Sequence, residues 1–351
     1  MRVGVLTFHR CINYGSYWQA RCLVEAIAAR GHEAVLLDHQ SCEVTSREWR
    51  YAFQPLTPQR SSRADVVQYG RKLRKFLDAF KALPLSAPFD LDVPETMPPV
   101  DLAVIGSDEV LNLSHPWYGG KPAFWGEGIA APRTVTYAAS FGNYAADFIE
   151  PQWAERLRDL DAISVRDDNS FGLVAGATGA APAMVLDPVL LNPPRVEAAD
   201  EPPYLLVYGH HIPDWFATRV SEAARQRGLR TISVGYRNDW ADEQRLDAGP
   251  QEFAALVAGA EAVATTYFHG CCFALVNRKP LVCAPSDYRW TKVRDLTALL
   301  GAERHLTFED RDPADVGTLL AEPISRAVQT RIAHLQAQSS EWLDAALAGR
   351  A

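Results

Sequence analysis

The sequence predicts an α/β protein built from two Rossmann-like, doubly wound domains, and three observations carry that expectation. Short apolar strands alternate with amphipathic helices from the first residues onward. The strands fall into two series, split by a polar, proline-bearing stretch at residues 192–203. Strand after strand ends in glycine or polar residues, as expected where the carboxyl ends of a parallel sheet open toward a ligand. A length of 351 residues also exceeds what one ordinary hydrophobic core serves.

Residues 2–8 read as the first strand. The loop His9 to Gly15 follows, and Ser16 is placed to cap a helix that runs to Arg30 and stops at Gly31. Trp18, Leu23, Ala26 and Ile27 give that helix an apolar stripe, and residues 34–37 form the next strand. This βαβ start predicts a parallel sheet, and it lacks the Gly-x-Gly-x-x-Gly fingerprint of dinucleotide binding. Residues 40–100 loosen into polar, proline-bearing sequence around a basic helix at 66–83. Its Arg71, Lys72, Arg74, Lys75 and Lys81 read first as a solvated face and second as a surface for an acidic ligand or a membrane. Strands resume at 102–105, 135–139, 162–165 and 184–186, ending respectively in Gly106-Ser107-Asp108, Ser140-Phe141-Gly142, Arg166-Asp167-Asp168 and Asp187-Pro188.

The second series has strands at 204–208, 231–234, 262–265 and 281–284. Helices are expected at 214–227, after Pro250, at 270–276, at 294–300 and at 326–347. The expected organisation is an N-terminal α/β domain over 1–192 with a helical insertion near 41–100, and a C-terminal α/β domain over 193–325 carrying His269. A terminal helix over 326–351 packs back on the first domain. Two such domains facing across a cleft make a GT-B-like architecture.

Composition narrows the function classes. A formal net charge of −8 offers nucleic acid no general attraction, so an anionic ligand needs a local basic cluster. The N-terminus enters a strand without a charged leader, and no apolar run reaches the length of a membrane span, which places the protein in the cytoplasm. The six cysteines show no metal-ligand spacing, and no His/Asp/Glu cluster suggests a metal. Cys11 lies in a candidate site loop but has no evident general-base partner.

His269 is the most informative residue. It sits between an apolar strand and the opening of a helix, where unpaired backbone N–H groups and the helix dipole favour an anion with which an imidazole can exchange a proton. A capping or core histidine is the plainer reading of the same position.

In their order, five segments make the chain resemble the polysaccharide pyruvyl transferase family over about residues 1 to 300. They are Asn13-Tyr14-Gly15 with Gln19-Ala20; Gly106-Ser107-Asp108 with Asn112; Tyr137-Ala138-Ala139-Ser140-Phe141-Gly142; Ser164-Val165-Arg166-Asp167; and Phe268-His269-Gly270 with Lys279-Pro280. Two departures stand out. Glu109 and Leu111 occupy positions where many members carry Gln and Trp, and Tyr267 stands where some branches carry an arginine.

The resemblance implies transfer of a pyruvyl group from phosphoenolpyruvate, as donor substrate with no further cofactor, onto two hydroxyls of a sugar, leaving a cyclic ketal and phosphate. The acceptor is then a cell-surface polysaccharide or a lipid-linked oligosaccharide precursor. The first domain would serve the acceptor side, and peripheral association at the inner face of the cytoplasmic membrane would suit such an acceptor. This chemistry asks for an acid/base group and cations. His269 is the candidate acid or base, and Asp108 the candidate base for an acceptor hydroxyl, with helix capping as its other reading. Arg166 is either a fork for the donor's carboxylate or phosphate or a structural ion pair with Asp167 or Asp168. Asn13, Tyr14, Gly15, Ser107, Ser140 and Gly270 complete the candidate binding set. Arg237, Lys292 and Arg294 are the cations available to replace the arginine absent at Tyr267. A nucleotide-sugar glycosyltransferase and a non-catalytic glycan-binding protein remain alternatives, because one fold serves many functions.

Overall fold

The computed structural model describes residues 1–146 and 148–351. The chain divides into two units. The first comprises residues 1–47, 80–193 and 333–351, and the second residues 48–79 and 194–332.

The first unit opens with β1 (Arg2–Leu6), α1 (Tyr14–Ala28), β2 (Glu33–Leu36) and the short β3 (His39–Gln40). Two helices, α2 (Cys42–Phe53) and α3 (Arg63–Lys81), then run through the segment shared with the second unit. The first unit resumes with β4 (Phe89–Asp90), β5 (Leu102–Ile105), β6 (Thr134–Thr136), α4 (Pro151–Arg158), β7 (Ser164–Val165), α5 (Asp168–Thr178), β8 (Ala183–Met184) and α6 (Pro188–Leu191). Its main sheet is parallel, in the order β2-β1-β5-β6. Bridges from Val135 to Ala162 and from Ala139 to Val165 lead on to the parallel β7–β8 pair. Strand order therefore reverses between β1 and β5, the switch point at which an open sheet leaves a crevice at its carboxyl ends. Every residue of β5 is buried, as expected of a strand covered on both faces.

The second unit contains β9 (Tyr204–Tyr208), α7 (Asp214–Gln226), β10 (Arg230–Val234), β11 (Glu243–Arg245), α8 (Pro250–Gly259), β12 (Ala262–Thr265), α9 (Phe268–Val276), β13 (Leu281–Cys283), α10 (Asp287–Leu300) and α11 (Pro313–Ala321). Its sheet is wholly parallel, ordered β11-β10-β9-β12-β13, and reverses between β9 and β12. Proline supplies the first residue of α4, α8 and α11, where its missing N–H costs nothing. The last helix, α12 (Arg326–Leu347), enters the first unit at Ala333. There Ser339 Oγ accepts from the Leu186 amide at 2.9 Å, Gln336 donates to the Leu190 carbonyl at 2.6 Å, and Arg30 pairs with Asp344. The expected return of the terminal helix to the first domain is thus present.

Several expectations need correction. The cap of α1 is Asn13, not Ser16, because Asn13 Oδ1 accepts from the amides of Gly15 (2.8 Å) and Ser16 (3.3 Å). The strands expected at 135–139, 162–165 and 184–186 shorten to β6, β7 and β8, and α10 begins at Asp287 instead of near Arg294. The helical insertion near 41–100 does not belong wholly to the first domain, since residues 48–79 cluster with the second unit. Within that unit Arg237 forks onto Asp65, Lys75 pairs with Glu252, and Lys72 Nζ donates to the Gly235 carbonyl at 3.1 Å. Lys72 is therefore not on a solvated face: it is buried, and desolvation pulls its ammonium down to about 7.

Candidate functional site

In the first unit, the residues singled out from the sequence interlock beneath the switch point. Gly106 takes a φ of +117°, and a Cβ there would sit 2.4 Å from the Tyr137 carbonyl oxygen, so only glycine fits. Asp108, also left-handed at φ +73°, accepts from Ser16 Oγ at 2.8 Å and from Arg166 at 3.3 Å. Ser107 donates to the Ala138 carbonyl at 2.9 Å and accepts from Arg166 at 3.2 Å. Gln19 donates to Thr7 Oγ1 at 2.9 Å, and that hydroxyl in turn donates to the Ser107 carbonyl at 2.9 Å.

Arg166 is the hub of this network. Its side chain is 1% exposed and pairs with Asp187 at 2.7 Å. Burial works against its charge, but Asp187, then Asp108, Asp167 and Glu109 more than restore it, so the guanidinium lies above its ordinary range. The paired acids are Asp187 and Asp108, where the sequence suggested Asp167 or Asp168. These bonds tie the ends of β5 and β7 to Asp187, the geometry of a structural ion pair. Ser140 is likewise internal, donating to Asp167 Oδ2 at 2.6 Å and accepting from the Gly142 amide at 2.8 Å. Tyr14 and Gly15 are buried, and the Gly15 amide is taken by the Asn13 cap, so that amide is not offered to phosphate. Asn13 itself is half-exposed.

Sequence reasoning passed over a polar cluster at the ends of β1 and β2. The fully buried ring of His9 lies between the Thr7 carbonyl and Asp38, at 3.1 Å from each, and Asp38 also receives Arg10. Burial opposes ionisation of Asp38, but His9 and Arg10 outweigh it and hold the carboxyl below its usual range. The ring of His39 reaches the Thr7 carbonyl at 2.8 Å, and burial, then His9, push that imidazole down to about 3.

In the second unit, His269 lies in the first turn of α9, directly after β12 and at the switch point. Gly270 packs against β12 so closely that a Cβ would fall 2.1 Å from Thr265 Oγ1; its glycine serves packing rather than a ligand. A cavity of about 280 Å³ opens at the carboxyl edge of this sheet, lined by His210 and His211 after β9, Thr266 after β12, and Arg289 from α10, among others.

Tyr267 is the floor beside it. Its ring stacks on Tyr208 (4.6 Å) and Tyr236 (5.6 Å), and the Arg289 guanidinium carbon lies 4.0 Å from its centroid. The three cations proposed from the sequence are elsewhere. Arg237 is held by Asp65 and Asp239, and Arg294 is exposed and paired with the adjacent Asp295. Lys292 lies 5.6 Å from the Tyr288 ring and does not line the cavity. Arg289 lies on the first turn of α10, ahead of the 294–300 stretch that the sequence pattern marks as helix. Ser286 followed by Asp287, just beyond the strand at 281–283, was the available signal for an earlier helix start.

Among the described residues no group of three or more His, Cys, Asp or Glu is placed to hold a metal ion, and no helix is long and apolar enough to cross a membrane.

Two parallel Rossmann-like units, each with polar groups gathered at its switch point, define a GT-B-like α/β protein. The chain belongs to the polysaccharide pyruvyl transferase family, whose model matches residues 13–288. Two solved structures share its fold over nearly the whole length. One is a UDP-GlcNAc 2-epimerase from Neisseria meningitidis bound to UDP-GlcNAc, with 11% identity, 99% of this chain and 99% of that chain covered, and a TM-score of 0.51. The other is a putative UDP-N-acetylglucosamine 2-epimerase from Listeria monocytogenes, with 10% identity, 99% and 95% covered, and a TM-score of 0.53. At such identity the likeness concerns the fold alone. No curated protein matches the chain.

Proposed function

We propose that this protein transfers the pyruvyl group of phosphoenolpyruvate to two hydroxyls of a sugar in a cell-surface polysaccharide or its lipid-linked precursor. Family membership supports the reaction class. The observation that carries the reading to residues is His269 in the opening turn of α9, at the switch point of the second unit's sheet, although it is not among the residues that line the cavity there.

A proton adds to the methylene carbon of the enol, so the central carbon becomes electrophilic. One sugar hydroxyl attacks that carbon and loses its proton. The bond to the phosphate oxygen breaks, and phosphate leaves. The second hydroxyl then closes the ketal and loses its own proton, so that of the two protons released one replaces the proton given to the methylene carbon and the other departs with phosphate. His269 is the group that delivers or removes a proton, since imidazole alone among side chains ordinarily changes charge near neutral pH. Arg166 takes no part in donor binding here, being committed to Asp187 and Asp108. The first unit serves the acceptor. Asp108 remains the candidate base for a sugar hydroxyl, with a left-handed backbone at a strand end, and to act it would have to release the bonds its carboxylate accepts from Ser16 and Arg166.

Acceptor-dependent release of phosphate from phosphoenolpyruvate, with the ketal identified by mass spectrometry, is the test. His269→Ala should lower turnover at saturating donor by roughly a hundredfold to ten-thousandfold, the usual worth of general acid–base help. Near-normal turnover in that variant rejects histidine acid/base catalysis. Release of phosphate that ignores the acceptor rejects the transfer reading.

A further inference from the structure

The cavity in the second unit holds more unanswered hydrogen-bonding capacity than a folded core tolerates without cause. Thr266 and Thr307 are each 2% exposed, and both hydroxyl oxygens are buried with no hydrogen-bond partner. His210 is 9% exposed, and its Nδ1 is buried in the same condition. All three residues line this one cavity, together with Arg289. Buried polar atoms are nearly always paired, because leaving one unmade costs about 1–3 kcal/mol, so three on residues around one space mark a place suited to a polar guest.

The character of these groups identifies the ligand class. His210 Nε2 lies 3.3 Å from the Tyr51 hydroxyl and 3.5 Å from the Arg289 guanidinium, which can only donate. Burial, then Arg289 and His211, push this imidazole down to about 3, so it is neutral in ordinary buffers. With Nε2 facing these donors as acceptor, the single ring proton belongs on Nδ1, the atom left without a partner. Arg289 is held over Tyr267 and touches Ser286 Oγ at 3.1 Å, and among the described residues no carboxylate pairs with it. The residues that line this single space thus carry one cation, two hydroxyls and one N–H, a donor set suited to an oxyanion with several terminal oxygens. Glu309, also at the cavity, is exposed to solvent at its rim. Walls from Trp215, Pro285 and Phe308 leave room for a body attached to that oxyanion.

We propose that Arg289, Thr266, Thr307 and the Nδ1–H of His210 form a phosphate subsite, with Arg289 standing in for the arginine that the chain lacks at Tyr267. The Tyr267 ring is the platform on which this guanidinium from α10 rests, 4.0 Å from its centroid. Under the reading above the phosphate is that of the pyruvyl donor, and to that extent the ligand's identity rests on it. The subsite itself does not, because a sugar nucleotide's diphosphate offers the same chemistry.

Calorimetric titration of the full chain with phosphoenolpyruvate, pyruvate and UDP, in wild type, Arg289→Gln and Thr307→Val, separates the two questions. The valine variant keeps the threonine's shape without its hydroxyl, and circular dichroism checks that each variant is folded. The expected result is phosphoenolpyruvate binding that weakens by roughly tenfold or more in both variants, with pyruvate binding far weaker than the donor in wild type. UDP binding that weakens in both variants, with no binding of phosphoenolpyruvate, keeps the subsite and overturns the pyruvyl-donor reading. Phosphoenolpyruvate binding equally to all three proteins overturns the subsite and leaves the donor reading standing. Pyruvate binding as tightly as phosphoenolpyruvate, or no probe binding to wild type, also overturns the phosphate assignment.

Discussion

Buried imidazoles make this fold sensitive to acid. His39 is lowered to about 3 by burial, then by neighbouring His9, and His210 is lowered to about 3 by burial, then by Arg289 and His211. In an unfolded chain both would titrate near the ordinary 6.5. Between those values the unfolded state binds more protons than the folded one, so stability must rise with pH across the window. The contribution is complete above 6.5 and drains away as pH falls toward 3. Each such histidine adds at most about 1.4 kcal/mol per pH unit to the slope. His39→Gln keeps an amide donor for the Thr7 carbonyl and removes the titration, so urea midpoints measured from pH 7.5 to 5 should fall less steeply than in wild type. An unchanged slope would show that His39 does not supply the acid sensitivity.

Helix starts decide which side chains reach a site, and the sequence was uneven evidence for them. The junction of β12 and α9 was legible because an apolar strand, a histidine and a glycine follow one another, and Gly270 is required by its contact with Thr265. The start of α10 is marked in the sequence only by Ser286 followed by Asp287, a weaker signal with no apolar strand-to-glycine junction beside it, and Arg289 depends on that start. The sequence suggests Asn13 as a ligand contact, yet its side-chain oxygen caps α1. Replacing a cap with alanine costs about 1 kcal/mol, whereas serine caps nearly as well as asparagine. Asn13→Ala should therefore lower stability by about that amount, and Asn13→Ser should restore most of it. Turnover measured alongside thermal unfolding divides the roles. If Asn13→Ser is stable but inactive, the amide also meets substrate; if it is stable and active, capping is the whole of its work.

Which unit a segment joins is settled by pairs too distant in sequence for any local pattern to reveal. The two strand series and the boundary near 192–203 could be read from periodicity and proline, but the membership of residues 48–79 could not. It depends on Asp65 meeting Arg237, Lys75 meeting Glu252 and Lys72 meeting the Gly235 carbonyl. Asp65 is the most informative of these, because it is buried and accepts both arms of the Arg237 fork, which holds the carboxyl below its usual range against the pull of burial. Asp65→Asn keeps the shape but loses the charge and one acceptor, leaving a half-buried guanidinium poorly matched. The cost should be about 1–3 kcal/mol. Hydrogen exchange read by mass spectrometry can locate the damage. Amides of α3 and of the segment from β10 to α8 should exchange faster together, while those of β1 and β5, in the other unit's sheet, keep their protection. Faster exchange in β1 and β5 with β10 unaffected would instead mean that α3 is anchored to the first unit, and that the Asp65–Arg237 pair does not bind the inserted helices to the second.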